Sequence, residues 1–103
     1  MRIVISEFME RSAVDQLAAN HETLYDPELV DRREMLKSRI VDADVLIVRN
    51  RTQVNAELLA AAMRLRVVGR LGVGLDNIDV ASCEARGIAV IPATGANALA
   101  VAE

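Results

Sequence analysis

Three short stretches hold the residues best suited to chemistry. They are Val48-Arg49-Asn50-Arg51, Gly69-Arg70-Leu71-Gly72-Val73-Gly74-Leu75-Asp76-Asn77-Ile78-Asp79 and Pro92-Ala93-Thr94-Gly95-Ala96-Asn97. Each follows or overlaps an apolar run that reads as a buried strand. In a parallel sheet the loops after the strands gather at one edge, where open α/β sheets bind ligands. Arginines, backbone amides freed by glycine and an asparagine would then meet in one crevice. That combination suits a small anion. Arginine presents two parallel N–H donors to the two oxygens of a carboxylate.

The elements that must position these residues alternate. Residues 2–5 (Arg-Ile-Val-Ile) form a short β-branched strand. Residues 12–20 read as a helix, with Val14, Leu17 and Ala18 on one face and Ser12 and Asp15 at capping-box spacing. Residues 22–25 are a weaker strand suited to an edge. Asp26-Pro27 marks a turn or a helix start. Asp31 and Glu34 again have capping-box spacing, opening a second helix that runs to about residue 40.

Residues 44–49 read as the clearest strand, continuously apolar from Val45 to Val48 as expected when both faces are covered. Asn55 caps a third helix over 56–63, with Glu57 favourable in its first turn. Residues 65–70 are a fourth strand. Residues 76–79 offer caps for a short helix ending at Arg86, with Gly87 at the C′ position. Residues 88–91 are a fifth strand. Asn97 then opens a helical segment over 98–103. Five strands alternating with helices call for right-handed parallel crossovers. The expected fold is a single α/β domain over 1–103. It is a flavodoxin-like, doubly wound parallel five-stranded sheet of order 2-1-3-4-5, truncated at the start of its last helix.

Composition narrows the classes of function. The 103 residues are 52% apolar, which excludes disorder, and carry a formal charge of −3. Phe8 and Tyr25 are the only aromatic residues. An acidic chain with no basic block and few rings is a poor nucleic-acid binder. No apolar run approaches the ~20 residues that span a bilayer. Cys83 is the lone cysteine, so no disulfide framework or cysteine-based metal site forms within the chain. Its expected state is a buried or half-buried thiol in a cytoplasmic protein.

The Gly72-Val73-Gly74 loop invites a nucleotide reading. A dinucleotide fingerprint needs a third glycine where Asn77 stands, and an acidic residue after the next strand, which ends in Ile91-Pro92. Two readings remain: a tight loop whose glycines only permit positive φ, or a nest of N–H groups for an anion. Arg49 and Arg70 flank the loop and favour the nest. Arg51 is either a solvated surface charge or a partner for a second anionic group.

These residues resemble the D-isomer-specific 2-hydroxyacid dehydrogenases of the phosphoglycerate dehydrogenase type. The resemblance rests on the Leu46-Ile47-Val48-Arg49 run, the long block from Val67 to Asp79, and Gly95-Ala96-Asn97. It covers essentially the whole chain. Ile5-Ser6-Glu7-Phe8-Met9 with Arg49-Asn50-Arg51-Thr52 looks closest to the sulfolactate dehydrogenase branch. The resemblance implies an N-terminal segment of the substrate-binding domain, continued in the parent by a Rossmann domain for NAD or NADP. It implies that backbone N–H groups of Gly72, Val73 and Gly74 hold the substrate carboxylate. It implies that Arg49 and Arg70 line the substrate side of the cleft, and that Asn97 sits at the start of the interdomain helix. Asn50-Arg51 departs from the small residue that often follows this arginine in phosphoglycerate dehydrogenases, and places Asn50 and Arg51 where a second anionic group of the substrate would be met.

The family's nucleotide fingerprint and its catalytic arginine, glutamate and histidine find no match here. His21 precedes the second strand, far from the site loops, and reads as a surface or strand-edge residue. The expected function is recognition of a small anionic 2-hydroxy or 2-oxo acid. No catalytic residue, metal or cofactor site is expected in this chain, and no turnover by it alone. The alternative is a self-standing folding or assembly unit, forming homo-oligomers through apolar surface bared by truncation. A phosphoacceptor signalling domain shares the topology but needs acidic residues where Ser6-Glu7 and Arg49-Asn50 stand.

Overall fold

Four-residue β-branched runs alternate with helices along the chain, and they build one parallel sheet with helices on both faces. The computed structural model describes residues 1–71 and 76–92. The elements are β1 (Arg2–Ile5), α1 (Arg11–Asn20), β2 (Glu22–Tyr25), a 3-10 helix (Pro27–Asp31), α2 (Arg33–Arg39) and β3 (Val45–Val48). They continue with α3 (Ala56–Ala61), β4 (Val67–Arg70), α4 (Val80–Ala85) and β5 (Ala89–Pro92). The strand order is β2-β1-β3-β4-β5, with every pair parallel. This is the expected order, and it follows from helical crossovers that each return the chain to the same end of the sheet.

Side-chain alternation divides the core in two. Val4, Leu46, Val48 and Val68 pack with Leu36, Leu58, Leu59 and Cys83 under α2, α3 and α4. Ile3, Ile5, Val45 and Ile47 pack with Val14 and Leu17 of α1. β3 is buried at all four residues, which explains its uninterrupted apolar run.

Local devices act where the sequence places them. Asn55 accepts from the Leu58 amide at 3.1 Å at the start of α3. Asp79 accepts from the Ser82 amide at 3.0 Å and from its hydroxyl at 2.8 Å at the start of α4. α4 ends at Gly87 with φ of 71°; Gly87 N–H bonds Glu84 O, and Ile88 N–H bonds Cys83 O. That is a Schellman stop, which favours glycine. Arg86 then donates to the carbonyls of Leu59 and Ala62, closing the exposed end of α3.

Two caps differ from expectation. α1 begins at Arg11, with Glu10 at the cap and no side-chain bond there, so Ser12 lies inside the helix. The Asp31 and Glu34 pair does not cap α2 either. The 3-10 helix runs through Asp31, Arg32 takes the cap position, and the Asp31 carboxylate faces Arg51 instead. A charged partner from another element outcompetes the local amide. α3 stops at Ala61 rather than Met63, whose side chain is exposed. The expected helical segment after Asn97 lies outside the described residues.

Cys83 is fully buried on α4. Burial, helped by the nearby Asp79 charge, pushes its thiol pKa up. In native buffer near neutral pH, Cys83 should react with an aromatic disulfide reagent at least about a hundredfold more slowly than in urea. Equal rates in the two conditions would place the thiol at the surface.

Candidate functional site

The sheet register sets the geometry of the C-terminal edge. Ile5, Ile47, Gly69 and Ile91 align across four strands, as do Val48, Arg70 and Pro92 one residue further on. Ser6 and Glu7 after β1, Arg49 after β3 and Leu71 after β4 therefore emerge together. Where neighbouring crossovers leave in opposite directions, here between β1 and β3, an open sheet forms its crevice.

The most densely bonded group at this edge is Glu7. The residue is 4% exposed. Its carboxylate accepts from the backbone amides of Arg49 at 2.8 Å, Thr52 at 2.9 Å and Arg51 at 3.1 Å. Beside it, the hydroxyls of Ser6 and Thr52 lie 2.9 Å apart. The carbonyls of the same loop are held from the other side, where Asn77 Nδ2 donates to Arg49 O at 3.0 Å and Thr52 O at 2.8 Å. A parallel bridge between Val54 and Ile78 continues this seam. Three amides of loop 49–52 are thus held by one residue and its two end carbonyls by another.

Burial pushes the Glu7 carboxyl pKa up. The amide bonds from Thr52, Arg49 and Arg51 outweigh burial and hold it below the usual carboxylate range. A group with a lower value folded than unfolded stabilises at neutral pH, and that contribution is lost as pH falls through the folded value. The stability gap between wild type and Glu7→Gln should therefore be wide at pH 7 and smaller at about pH 3. Urea unfolding at both values checks it, and a gap independent of pH would overturn it.

Arg49 is half-buried. Its Nε donates to Phe8 O at 2.9 Å, and its guanidinium carbon lies 5.6 Å from the centre of the Phe8 ring. Phe8 is 61% exposed, so the stacked pair faces outward. Among the described residues, no acidic side chain pairs with Arg49. Asn50 is exposed. Arg51 pairs with Asp31 at 2.6 Å, both side chains about two-thirds exposed. Arg70 is half-buried at the end of β4, level with Val48 and Pro92. The structure thus brings Arg49, Asn50, Arg51 and Arg70 to one edge. Gly72, Val73, Gly74 and Asn97 lie outside the described residues.

Sequence reasoning passed over Glu7, Phe8, Asn77 and Asp31 as parts of this edge. The available signal was a carboxylate directly after an apolar strand, on the side where strands release their loops. Asn77 was read as one of several possible helix caps, but its amide serves loop 49–52 and leaves the capping to Asp79.

The chemistry follows from what is already occupied. Backbone amides of a tight loop are a natural anion site. Here the amides of Arg49, Arg51 and Thr52 are filled by an internal carboxylate. What loop 49–52 offers an external anion is chiefly its side chains, and Arg49 is held at Nε with its terminal nitrogens outside that bond. His21 stands elsewhere, at the end of α1, its carbonyl accepting from Thr23 at 3.1 Å. It borders a polar hollow of about 720 Å³ at the opposite edge of the sheet, with Arg2, Asp44 and Arg64. Among the described residues, no helix is long and apolar enough to cross a membrane, and no cluster of His, Cys, Asp and Glu could hold a metal ion.

The sequence and the fold match a known family. Residues 3–103 match the family model described as D-isomer specific 2-hydroxyacid dehydrogenase, catalytic domain. The chain belongs to that family. It is 54% identical over 101 residues to an (S)-sulfolactate dehydrogenase from Chromohalobacter salexigens, covering 98% of this chain and 33% of that protein. It is 33% identical over 103 residues to a D-3-phosphoglycerate dehydrogenase from Archaeoglobus fulgidus, covering all of this chain and 19% of that protein. Among solved structures, NAD+-bound 3-phosphoglycerate dehydrogenase of Entamoeba histolytica superposes with a TM-score of 0.75 at 30% identity, over 87% of this chain and 32% of that one. The chain spans a third or less of the length of these relatives.

Proposed function

We propose that this chain is the substrate-recognising part of an NAD- or NADP-dependent 2-hydroxyacid dehydrogenase, acting by binding and orientation. The observation that carries the reading is Arg49: an arginine at the C-terminal edge of the central strand, with its Nε fixed and its terminal nitrogens outside that bond. A fixed guanidinium loses little freedom on meeting a carboxylate, so its bonds count nearly in full toward affinity. Arg70 supplies a second positive charge at the same edge. The amides of Gly72, Val73 and Gly74, together with Asn97, complete the carboxylate site in this reading.

Arg51 gives the substrate class. Its ion pair with Asp31 is exposed, and such pairs contribute at most about 1 kcal/mol. A substrate carrying a second anionic group can displace Asp31 at little cost. Asn50 lies between the two arginines and serves as a neutral donor. The preferred ligand is therefore a 2-hydroxy or 2-oxo acid with a further sulfonate, phosphate or carboxylate. The similarity to a sulfolactate dehydrogenase and to phosphoglycerate dehydrogenases supports the same class. The nicotinamide cofactor supplies the hydride acceptor when bound, and its site and the general base lie outside these 103 residues.

Amide NMR during titration with sulfolactate, 3-phosphoglycerate, lactate and NAD tests the reading. Shifts at residues 49–51 and 70–75 are expected with the acids, strongest with the two dianions, and none with NAD. Arg49→Ala should weaken dianion binding about tenfold or more, the loss of one charged hydrogen-bonded contact. A well-dispersed spectrum that responds to none of the acids would overturn it and favour the assembly reading.

A further inference from the structure

Arg49 is held by two consecutive residues acting in different ways. Glu7 takes the Arg49 amide at 2.8 Å and the Thr52 amide at 2.9 Å on one carboxylate oxygen, and the Arg51 amide at 3.1 Å on the other. Phe8, next in the chain, offers its carbonyl to Arg49 Nε at 2.9 Å and its ring to the guanidinium. Met9 follows, buried, with its amide donating to the Tyr25 hydroxyl at 3.3 Å. Seating the Glu7 carboxylate in loop 49–52 therefore fixes the backbone of Arg49 and, through the next peptide, the partner of its side chain.

We propose that Glu7 is a positioning residue for ligand binding. Its carboxylate locks loop 49–52 and so holds the Arg49 guanidinium against Phe8, ready for an anion. The proposal rests on the functional reading above for its ligand, but not for its geometry. Ordinary structural support would need neither three convergent amides nor a link to an outward-facing arginine. Glutamine fits the same space but offers one acceptor oxygen. With that oxygen toward Arg49 and Thr52, its NH2 group meets the Arg51 N–H, which keeps only its longer 3.3 Å contact to the remaining oxygen, and the charge that strengthens all three bonds is gone.

The test reads position and affinity separately on the intact chain. The Arg49 Nε–H resonance reports position without any ligand, through its protection from solvent exchange. The dissociation constant for sulfolactate reports affinity. Glu7→Gln should lose the protected resonance and bind sulfolactate about tenfold or more weakly at pH 7. Ile40→Val, a core change in another part of the fold, should lower thermal stability while leaving both readouts as in wild type. Glu7→Asp keeps the charge with a shorter reach and should fall between wild type and Gln in both. It serves in place of Gln if that variant does not fold.

Glu7 variants that retain the protected Arg49 resonance and wild-type affinity would overturn the proposal. So would Ile40→Val losing the resonance as fully as Glu7→Gln, because the effect would then be general loosening. If wild type binds none of the acids, the functional reading fails. The Arg49 resonance then still decides whether Glu7 positions it.

Discussion

Asn77→Asp is expected to destabilise the chain by about 3 kcal/mol at pH 7, more than Asn77→Ala, which should cost about 1–2 kcal/mol. Asn77 is 5% exposed, and its Nδ2 is the donor to both Arg49 O and Thr52 O. Alanine leaves two loop carbonyls without that donor. Aspartate does the same and turns an anion toward two carbonyl oxygens. Such surroundings disfavour the charged form and raise the new carboxyl's pKa. For an acid with a raised folded value, the penalty is present above that value and fades below it, when the protonated group donates again. The Asp variant should therefore recover toward the Ala variant between pH 7 and about pH 5. Urea unfolding of the three proteins at both values checks this. Equal stabilities of Asp and Ala at pH 7 would mean that Asn77 does not hold loop 49–52.

Leu46→Ala should cost about 3–4 kcal/mol, near the middle of the range for buried leucines. Leu46 is fully buried in β3, aligned between Val4 and Val68. The strand has hydrogen-bonded neighbours on both sides, so the backbone cannot move in to fill the space. A chain of this length has about 5–10 kcal/mol of stability in total, so the change removes a large share of it. The melting temperature should fall by about 15–25 °C. Met63→Ala, at a side chain 75% exposed, should change stability by less than about 0.5 kcal/mol. Thermal unfolding followed by circular dichroism compares them. A small loss at Leu46 would mean that the core around β3 collapses freely into the gap.

The parts of this fold that sequence reading recovers are those whose cause is local. β1 and β2 have the expected bounds because alternation and flanking turn residues mark them. Asn55, Asp79 and Gly87 act within three to five residues of themselves, and their chemistry is visible in the spacing. The parallel pairing follows from right-handed crossovers once strands alternating with helices are recognised, and 2-1-3-4-5 is one of the two common orders such a sheet takes.

What was not legible depends on partners distant in the chain. Glu7 reaches Arg49 across 42 residues, Asn77 reaches back 28 to the same residue, and Asp31 meets Arg51 across 20. Nothing in the local pattern says that a glutamate after β1 will be buried by amides instead of solvated, or that Asp31 will prefer an arginine to a helix cap. The expectation that the site arginines share an edge needed only the topology. The pair that braces one of them needed the tertiary structure.

The seam between β1 and β3 also governs the order of assembly. Every other strand pair joins segments separated by a single helical crossover. β1 and β3 have β2 and three helical segments between them, and closing so long a loop is what slows parallel sheets. The bonds from Glu7 to loop 49–52 cross that same seam. The Glu7 bonds that order loop 49–52 are therefore made only when this longest closure is complete, and neither half of the sheet holds that loop by itself.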